Sequence, residues 1–119
     1  MEDKKESLID LTYLKTFSDG DMVFVKEMIE LFIEKIPTET AELQRAVAAQ
    51  EWQAAYKAAH DLKSSANFIG LTYLVEDILK FEDCTKNQRN FDLIPDLRDR
   101  IVEECLKGVT ELKGVEIPD

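Results

Sequence analysis

One apolar stripe runs unbroken through residues 21–49 and limits the folds open to this chain. Hydrophobic residues recur there at steps of three and four, the spacing that puts side chains on one face of an α-helix; they are Val25, Met28, Ile29, Phe32, Ile36, Leu43, Ala46 and Val47. The stripe keeps its phase across Pro37, with Thr40 at the missing step. Because a helix end would usually reset the phase, we predict one long helix, kinked where Pro37 removes a backbone donor.

The same spacing predicts one short helix before this one and three longer helices after it. Their apolar residues span about 9–17, 52–68, 71–85 and 93–112. Asp10 is placed to cap the first helix and Thr72 the fourth, and Gly70 is placed to end the third in a left-handed turn. Pro95 falls in the first turn of the fifth helix, where a missing donor costs little. The segment "TKNQRN", residues 85–90, is predicted to be a polar loop.

The few turn-forming residues indicate the fold class. Only 4 glycines and 3 prolines occur among 119 residues, too few for an all-β chain with its many turns. Short connections force neighbouring helices to run antiparallel. We therefore predict an all-α fold: an antiparallel four-helix bundle with an additional short N-terminal helix, in a single domain over 1–119 with frayed tails at 1–7 and 114–119.

Charge and cysteine usage exclude several classes of function. The net charge of −10 argues against nucleic acid or anionic lipid as a partner, and no apolar run reaches the length of a membrane span. Cys84 and Cys105 lie on apolar positions without metal-ligand spacing, which favours two reduced core thiols and no metal site. We expect a soluble, cytoplasmic protein.

The only histidine, His60, lies in the third predicted helix. At about 100° per residue, six apolar side chains form the core face of that helix: Ala55, Ala58, Ala59, Leu62, Ala66 and Ile69. His60 falls roughly opposite this face. Its neighbours along the exposed side are polar or small: Tyr56, Lys57, Lys63, Ser64 and Asn67. The sequence therefore predicts an exposed imidazole with a lysine one turn away on either side.

Such an arrangement suits phosphoryl chemistry. An exposed imidazole is mostly uncharged at neutral pH, and its free nitrogen can attack phosphorus and hold the phosphoryl group. The added charge of about −2 would lie beside Lys63, with Lys57 able to contribute from the other side. Ser64 is small enough to leave the ring accessible. A histidine beside a lysine is also common on ordinary solvated helix faces, so spacing alone leaves a non-covalent helical interaction module open.

The fuller string "HDLKSSANFIG", residues 60–70, closely resembles the signature of histidine-containing phosphotransfer (HPt) domains. That signature is His, any residue, an apolar residue, Lys, small residues, and Gly ten positions after the His. The resemblance extends over about 9–113 and includes "FVKEMIELFIEKIP", with its structural Pro37, and "EWQAAYKAAH". By this resemblance His60 accepts the phosphoryl group, Lys63 stabilises it, Ser64 is the small residue beneath the ring, and Gly70 closes the helix.

The resemblance also implies a mechanism. The chain would be a phosphoryl carrier in a multistep two-component phosphorelay, taking the group from a receiver-domain phosphoaspartate and passing it to another receiver. It would bind no cofactor, because Mg²⁺ and most catalytic groups come with the receiver. The sequence has no Gly-rich nucleotide-binding loop, which fits a protein without ATP-dependent kinase activity of its own. We expect a monomer that contacts its partner through Tyr56, Lys57 and Asn67, on a strip extended by apolar residues of the first and second helices.

Two positions differ from the commonest family pattern. Ser64 often stands as Gly, and Asp61 adds a negative charge next to His60 in sequence. The sequence leaves open the cognate kinase and receivers, the direction of phosphoryl flow, and whether the carrier is free-standing or part of a hybrid kinase. The alternative of an adaptor in which His60 is incidental also stays open. A carboxylate-bridged metal bundle would need inward-facing histidines and is set aside.

Overall fold

The computed structural model describes residues 9–115, and these fold into helices joined by short connections. The helices are α1 Thr12–Phe17, α2 Met22–Ala48, α3 Trp52–Phe68, α4 Val75–Asn87 and α5 Ile94–Lys113. The four long helices form a closed antiparallel ring in which α3 packs between α2 and α4, and α5 packs between α4 and α2. The predicted all-α four-helix bundle with a short N-terminal helix is confirmed.

Helix α2 passes through Pro37 without a break, as the phase of its apolar stripe predicted. Its buried side chains follow that stripe on both sides of the proline, and Thr40 is buried among them. The Thr40 hydroxyl donates to the Pro37 carbonyl at 2.9 Å, which satisfies a polar group inside the core. At the start of α2 the Asp21 carboxylate accepts the backbone N–H of Phe24 at 3.1 Å, an N-cap.

Gly70 ends α3 in a left-handed conformation, with φ of +85° as predicted. A side chain at this position would overlap the backbone of Asp10, so the N-terminal segment lies directly against the turn. The backbone N–H of Asp10 donates to the carbonyl of Ile69 at 2.9 Å. Gly70 is therefore needed twice, for its backbone conformation and for the close approach of a second chain segment.

The N-terminal helix begins at Thr12, one residue later than the predicted cap at Asp10 implies. The reason is that Ile9 is buried and Asp10 is bonded to the end of α3, which holds these two residues outside the helix. The Asp10 carboxylate still accepts the backbone N–H of Thr12 at 2.9 Å. This hydrogen bond gives the predicted capping interaction, one position before the usual N-cap.

The boundaries of α4 correct two predictions. Thr72 does not cap the helix: it begins a 3₁₀ turn, Thr72–Leu74, with no side-chain cap, and α4 follows directly. The predicted loop over 85–90 is also wrong in its first half, since α4 continues to Asn87. Thr85 is buried there, and its hydroxyl donates to the carbonyl of Phe81 at 2.9 Å. Tertiary burial of a threonine thus outweighed the polar composition of the segment.

Helix α5 begins as predicted, with Pro95 in its first turn, and a second 3₁₀ turn over Phe91–Leu93 precedes it. At the other end Val115 packs against the core, so the predicted frayed tail at 114–119 is wrong at its start. Residues 116–119 of that tail, and the predicted tail at 1–7, lie outside the described residues. Cys84 and Cys105 are buried free thiols, as predicted.

Candidate functional site

His60 stands at the middle of α3, eight residues from either end of the helix. The six residues predicted to form the core face of α3 are all buried. The His60 side chain lies on the other side of the helix and is 55% exposed. Small alanines on the core face let α3 approach its neighbours closely, which brings the imidazole within reach of α4. The predicted orientation of the histidine is confirmed.

A carboxylate from α4 binds the imidazole. One oxygen of Glu82, Oε2, lies 3.2 Å from Nδ1 of His60, and the other, Oε1, accepts from the ammonium of Lys63 at 3.2 Å. The Glu82 side chain is only 10% exposed, while that of Lys63 is 23% exposed. A buried carboxylate without a partner is unfavourable, so the burial of Glu82 stabilises its contacts with both His60 and Lys63. Glu82 thereby holds the histidine and the lysine together.

The contact on Nδ1 decides which nitrogen of His60 is available. A carboxylate beside Nδ1 favours the tautomer that carries its proton there, and Nε2 then keeps its lone pair. The ring is more than half exposed, so a reactant can reach this lone pair from solvent. The same arrangement of carboxylate, imidazole and substrate orients the histidine in Ser-His-Asp enzymes. The geometry therefore supports a nucleophile at Nε2.

Glu82 was missed by the sequence analysis, although the sequence held a signal for it. Glu82 lies between Phe81 and Thr85 on the buried stripe of α4, one turn after Ile78. Burying a glutamate on an apolar helix face is unfavourable in free energy unless a partner is present, so its position indicated a buried ion pair. Which partner it has could not be derived, because that depends on how α3 and α4 pack.

The other predicted site residues differ in how close they come to the imidazole. The Tyr56 ring stacks on the His60 ring, with the centroids 6.0 Å apart and the planes at 21°. Lys57 instead pairs with Asp61 at 3.2 Å, and both side chains are well exposed. The charge of Asp61 is therefore directed at Lys57, and the two largely cancel beside the site. Lys63 lies on the predicted face, but its ammonium is shared with Glu82.

Beyond His60, toward the end of α3, the surface opens into a cleft of about 430 Å³. Its lining includes Ser64, Asn67, Phe68 and Thr72. Ser64 and Asn67 are exposed, as predicted. No bulky side chain stands among these residues except Phe68, so the cleft leaves the approach along α3 to the imidazole open.

Aromatic contacts join the N-terminal helix to this cleft. The Phe68 ring packs edge-on against Phe17 with centroids 5.9 Å apart, and it also contacts Phe32 at 5.7 Å. Phe17 in turn lies 6.4 Å from Phe24 and is 58% exposed. An exposed aromatic ring on a packed aromatic base is typical of a protein-binding surface. Helix α1 thus extends the surface around His60.

Three further observations concern the described residues. Within residues 9–115, no group of three or more histidine, cysteine or acidic side chains is placed to hold a metal ion. No helix of that part of the chain is long and apolar enough to span a membrane. Burial raises the pKa of the Cys105 thiol to about 12, which keeps it in its unreactive protonated form at neutral pH.

Comparison with known families identifies this arrangement. The family model of the Hpt domain matches residues 27–113, nearly three quarters of the chain. The chain belongs to the Hpt domain family. Hpt domains are helical bundles that take part in phosphorelays by phosphotransfer through a histidine, as phosphocarriers without kinase activity, and they interact with receiver domains. No curated protein and no solved structure gave a significant match.

The matched range sets the N-terminal segment apart. Helix α1 and the first turns of α2 precede residue 27, so Phe17 and Phe24 lie outside the Hpt match. All the residues that surround the imidazole lie inside it. The Hpt match therefore covers most of the bundle and the whole histidine site, and α1 precedes it.

Proposed function

We propose that this Hpt domain protein carries a phosphoryl group on His60, received from a receiver-domain phosphoaspartate and passed to the aspartate of another receiver. The observation that carries the proposal is the placement of the sole histidine. Its ring is 55% exposed, and Glu82 lies against Nδ1, which leaves Nε2 as the nucleophile. The open cleft beside it gives a receiver room to approach.

The bonds formed and broken in the transfer, and the proton on the imidazole, are all accounted for by groups of the two proteins. The lone pair of His60 Nε2 attacks the phosphorus, the N–P bond forms, and the P–O bond to the receiver's aspartate breaks. The aspartate leaves as a carboxylate, and the proton on Nδ1 stays between the ring and Glu82, which offsets the positive charge of the phosphorylated imidazole. The reverse sequence passes the group on. Mg²⁺ is expected on the receiver, where it stabilises the transferring group.

Three residues of α3 support this step in the proposal. Lys63 stabilises the phosphoryl oxygens, and to do so its ammonium shifts from Glu82 toward the new charge. Ser64 is small and exposed, so it keeps the space next to the ring open to the receiver. Tyr56 stacks on one face of the imidazole and restricts its motion before attack, so less conformational freedom is lost in the transition state.

The receiver docks, in this proposal, across α3 and α1. Asn67 lies at the cleft and Phe17 at its edge, while Tyr56 and the Lys57–Asp61 pair border the imidazole on the other side. Transient signalling contacts need only a small patch with an apolar centre and a polar rim, and this strip provides both. The ammonium of Lys63 would face the receiver's acidic active site, whereas Asp61 already balances the charge of Lys57.

The test is labelling from a receiver that carries a labelled phosphoryl group. The parent protein is expected to take up label that is labile in acid and stable in alkali, as a phosphoramidate on histidine is. His60→Gln is expected to take up none while keeping the helical circular dichroism of the parent. Label on His60→Gln equal to that of the parent would disprove the carrier function. Binding of the receiver without labelling of the parent would instead indicate a non-covalent adaptor.

A further inference from the structure

The cations around His60 differ in whether they already have a carboxylate partner. Lys57 pairs with Asp61, and Lys63 pairs with Glu82, each at 3.2 Å. Lys86 on α4 has no such partner among residues 9–115. Its ammonium lies over the Tyr56 ring, 6.0 Å from the centroid. Lys86 is therefore the cation near the site whose charge is not already neutralised.

The position of Lys86 relates it to the imidazole in two independent ways. Tyr56 stacks on His60 with centroids 6.0 Å apart, so the Tyr56 ring contacts both the histidine and the lysine. On α4, Lys86 lies one turn after Glu82 on the same helix face, and Glu82 contacts His60 directly. The flexible stem of a lysine gives the ammonium freedom to move from the tyrosine toward the histidine.

The carboxylates near Lys86 are occupied. Lys86 lines a cleft of about 280 Å³ together with Tyr56, Leu79, Glu82, Asp83 and Asn87. Glu82 is bound by Lys63 and His60. Asp83 accepts from Arg89 at 2.9 Å and from Asn87 at 2.7 Å, and these bonds hold the pKa of its carboxyl below the usual range. Neither carboxylate competes strongly for the ammonium of Lys86.

The charges around a phosphorylated His60 show why a second cation is needed. A phosphoryl group brings a charge of about −2. In the proposed transfer the positive phosphorylated imidazole offsets the charge of Glu82, so Lys63 can leave Glu82 for the phosphoryl oxygens. Lys63 supplies only one positive charge against about two negative ones, and Lys57 is balanced by Asp61. Without another cation about one negative charge on the phosphoryl oxygens has no partner.

We propose that Lys86 is a phosphoryl-binding cation of this carrier, resting on Tyr56 in the unphosphorylated protein and moving to the phosphoryl oxygens on Nε2 of His60 after transfer. The proposal rests on the carrier function described above. Phosphoramidates lose their phosphoryl group through a loose, metaphosphate-like transition state, and an ammonium bound to the oxygens in the ground state opposes that loss. Lys86 therefore lengthens the life of the phosphorylated form.

The test uses the isolated protein, phosphorylated on His60 by the small donor phosphoramidate so that no receiver is present. Hydrolysis of the phosphohistidine is followed at neutral pH for the parent, Lys86→Gln, Lys86→Arg and Lys80→Gln. Lys80 is the matched control, an exposed lysine of α4 outside the cleft. Lys86→Gln is expected to shorten the lifetime about two- to fivefold, the factor an exposed charge pair supplies. Lys86→Arg and Lys80→Gln are expected to keep the parent lifetime.

Two results would overturn the proposal in different ways. An unchanged lifetime in Lys86→Gln, with slower uptake from a phosphorylated receiver, would make Lys86 a docking contact and not a phosphoryl ligand. If Lys80→Gln shortened the phosphohistidine lifetime as much as Lys86→Gln, the change would reflect the general surface charge and not a specific role of Lys86. Absence of label on His60 after the parent is incubated with a phosphorylated receiver would disprove the carrier function itself, which separates that failure from failure of the role of Lys86.

Discussion

Glu82 on α4 lies 3.2 Å from Nδ1 of His60 on α3, although 22 residues separate them in the chain. The second oxygen of the same carboxylate accepts from Lys63 at the same distance. One buried side chain thus positions both the histidine and the lysine of the "HDLK" sequence. Because the three residues come from two helices, this arrangement exists only when the bundle is formed.

Replacing Glu82 separates its hydrogen bond from its charge. Glu82→Gln keeps an acceptor for Nδ1, and Glu82→Ala removes both the acceptor and the charge. We expect Glu82→Ala to slow phosphoryl uptake from a receiver about tenfold, as loss of a hydrogen bond worth about 1.5 kcal/mol would, and Glu82→Gln to have a smaller effect. Single-turnover transfer rates measure this. Equal rates in the parent and Glu82→Ala would show that the ring needs no positioning by α4.

Removing Lys63 is expected to affect both transfer and stability. Lys63→Ala should slow transfer or shorten the life of the phosphorylated form without eliminating acceptance, since His60 remains. It also leaves the buried Glu82 without its cation, so we expect the free energy of unfolding to fall by about 1–3 kcal/mol. Urea denaturation checks this loss. Lys63→Ala combined with Glu82→Gln should recover much of the stability, and a further loss in that double variant would contradict the ion-pair account.

Gly70→Ala and Gly20→Ala form a matched pair, because both glycines have positive φ. Each alanine pays the cost of the left-handed conformation, about 1–2 kcal/mol. At Gly20 nothing lies within 4 Å of the added methyl group, whereas at Gly70 it would overlap the backbone of Asp10. We therefore expect Gly70→Ala to be clearly more destabilising than Gly20→Ala in urea denaturation. Equal losses would show that the N-terminal segment moves aside without cost.

Phe17→Ala tests whether the N-terminal helix takes part in receiver binding. Phe17 is exposed at the edge of the cleft, and its removal is expected to weaken binding by about 1–2 kcal/mol if it is an aromatic anchor. Phe91→Ala is the control, a comparably exposed ring that stacks on Trp52 at the start of α3. Calorimetric titration with a receiver compares them. A stronger effect of Phe91→Ala would move the docking surface to the other end of α3.

The helices themselves could be predicted because burial follows a local period. The phase of α2 across Pro37, the core face of α3 and the outward position of His60 all depend on spacing within one helix. The predicted cap at Thr72 and the predicted loop over 85–87 were wrong because the ends of α4 depend on contacts with other helices. The burial of Leu74 and Thr85 decided where α4 begins and ends. Element ends are sensitive to such contacts, and element centres are not.

The sequence by itself determined that α3 presents a lone imidazole to solvent with lysines nearby, since a helix places its side chains by a fixed rotation per residue. The Lys57–Asp61 pair is likewise local, since it joins residues four apart on α3. Only the tertiary structure decided the contacts with α4: it paired Lys63 with Glu82 and placed Lys86 over Tyr56. Contacts between helices depend on their relative rotation and distance, which are set by the packing of the whole core and are not encoded in any one segment.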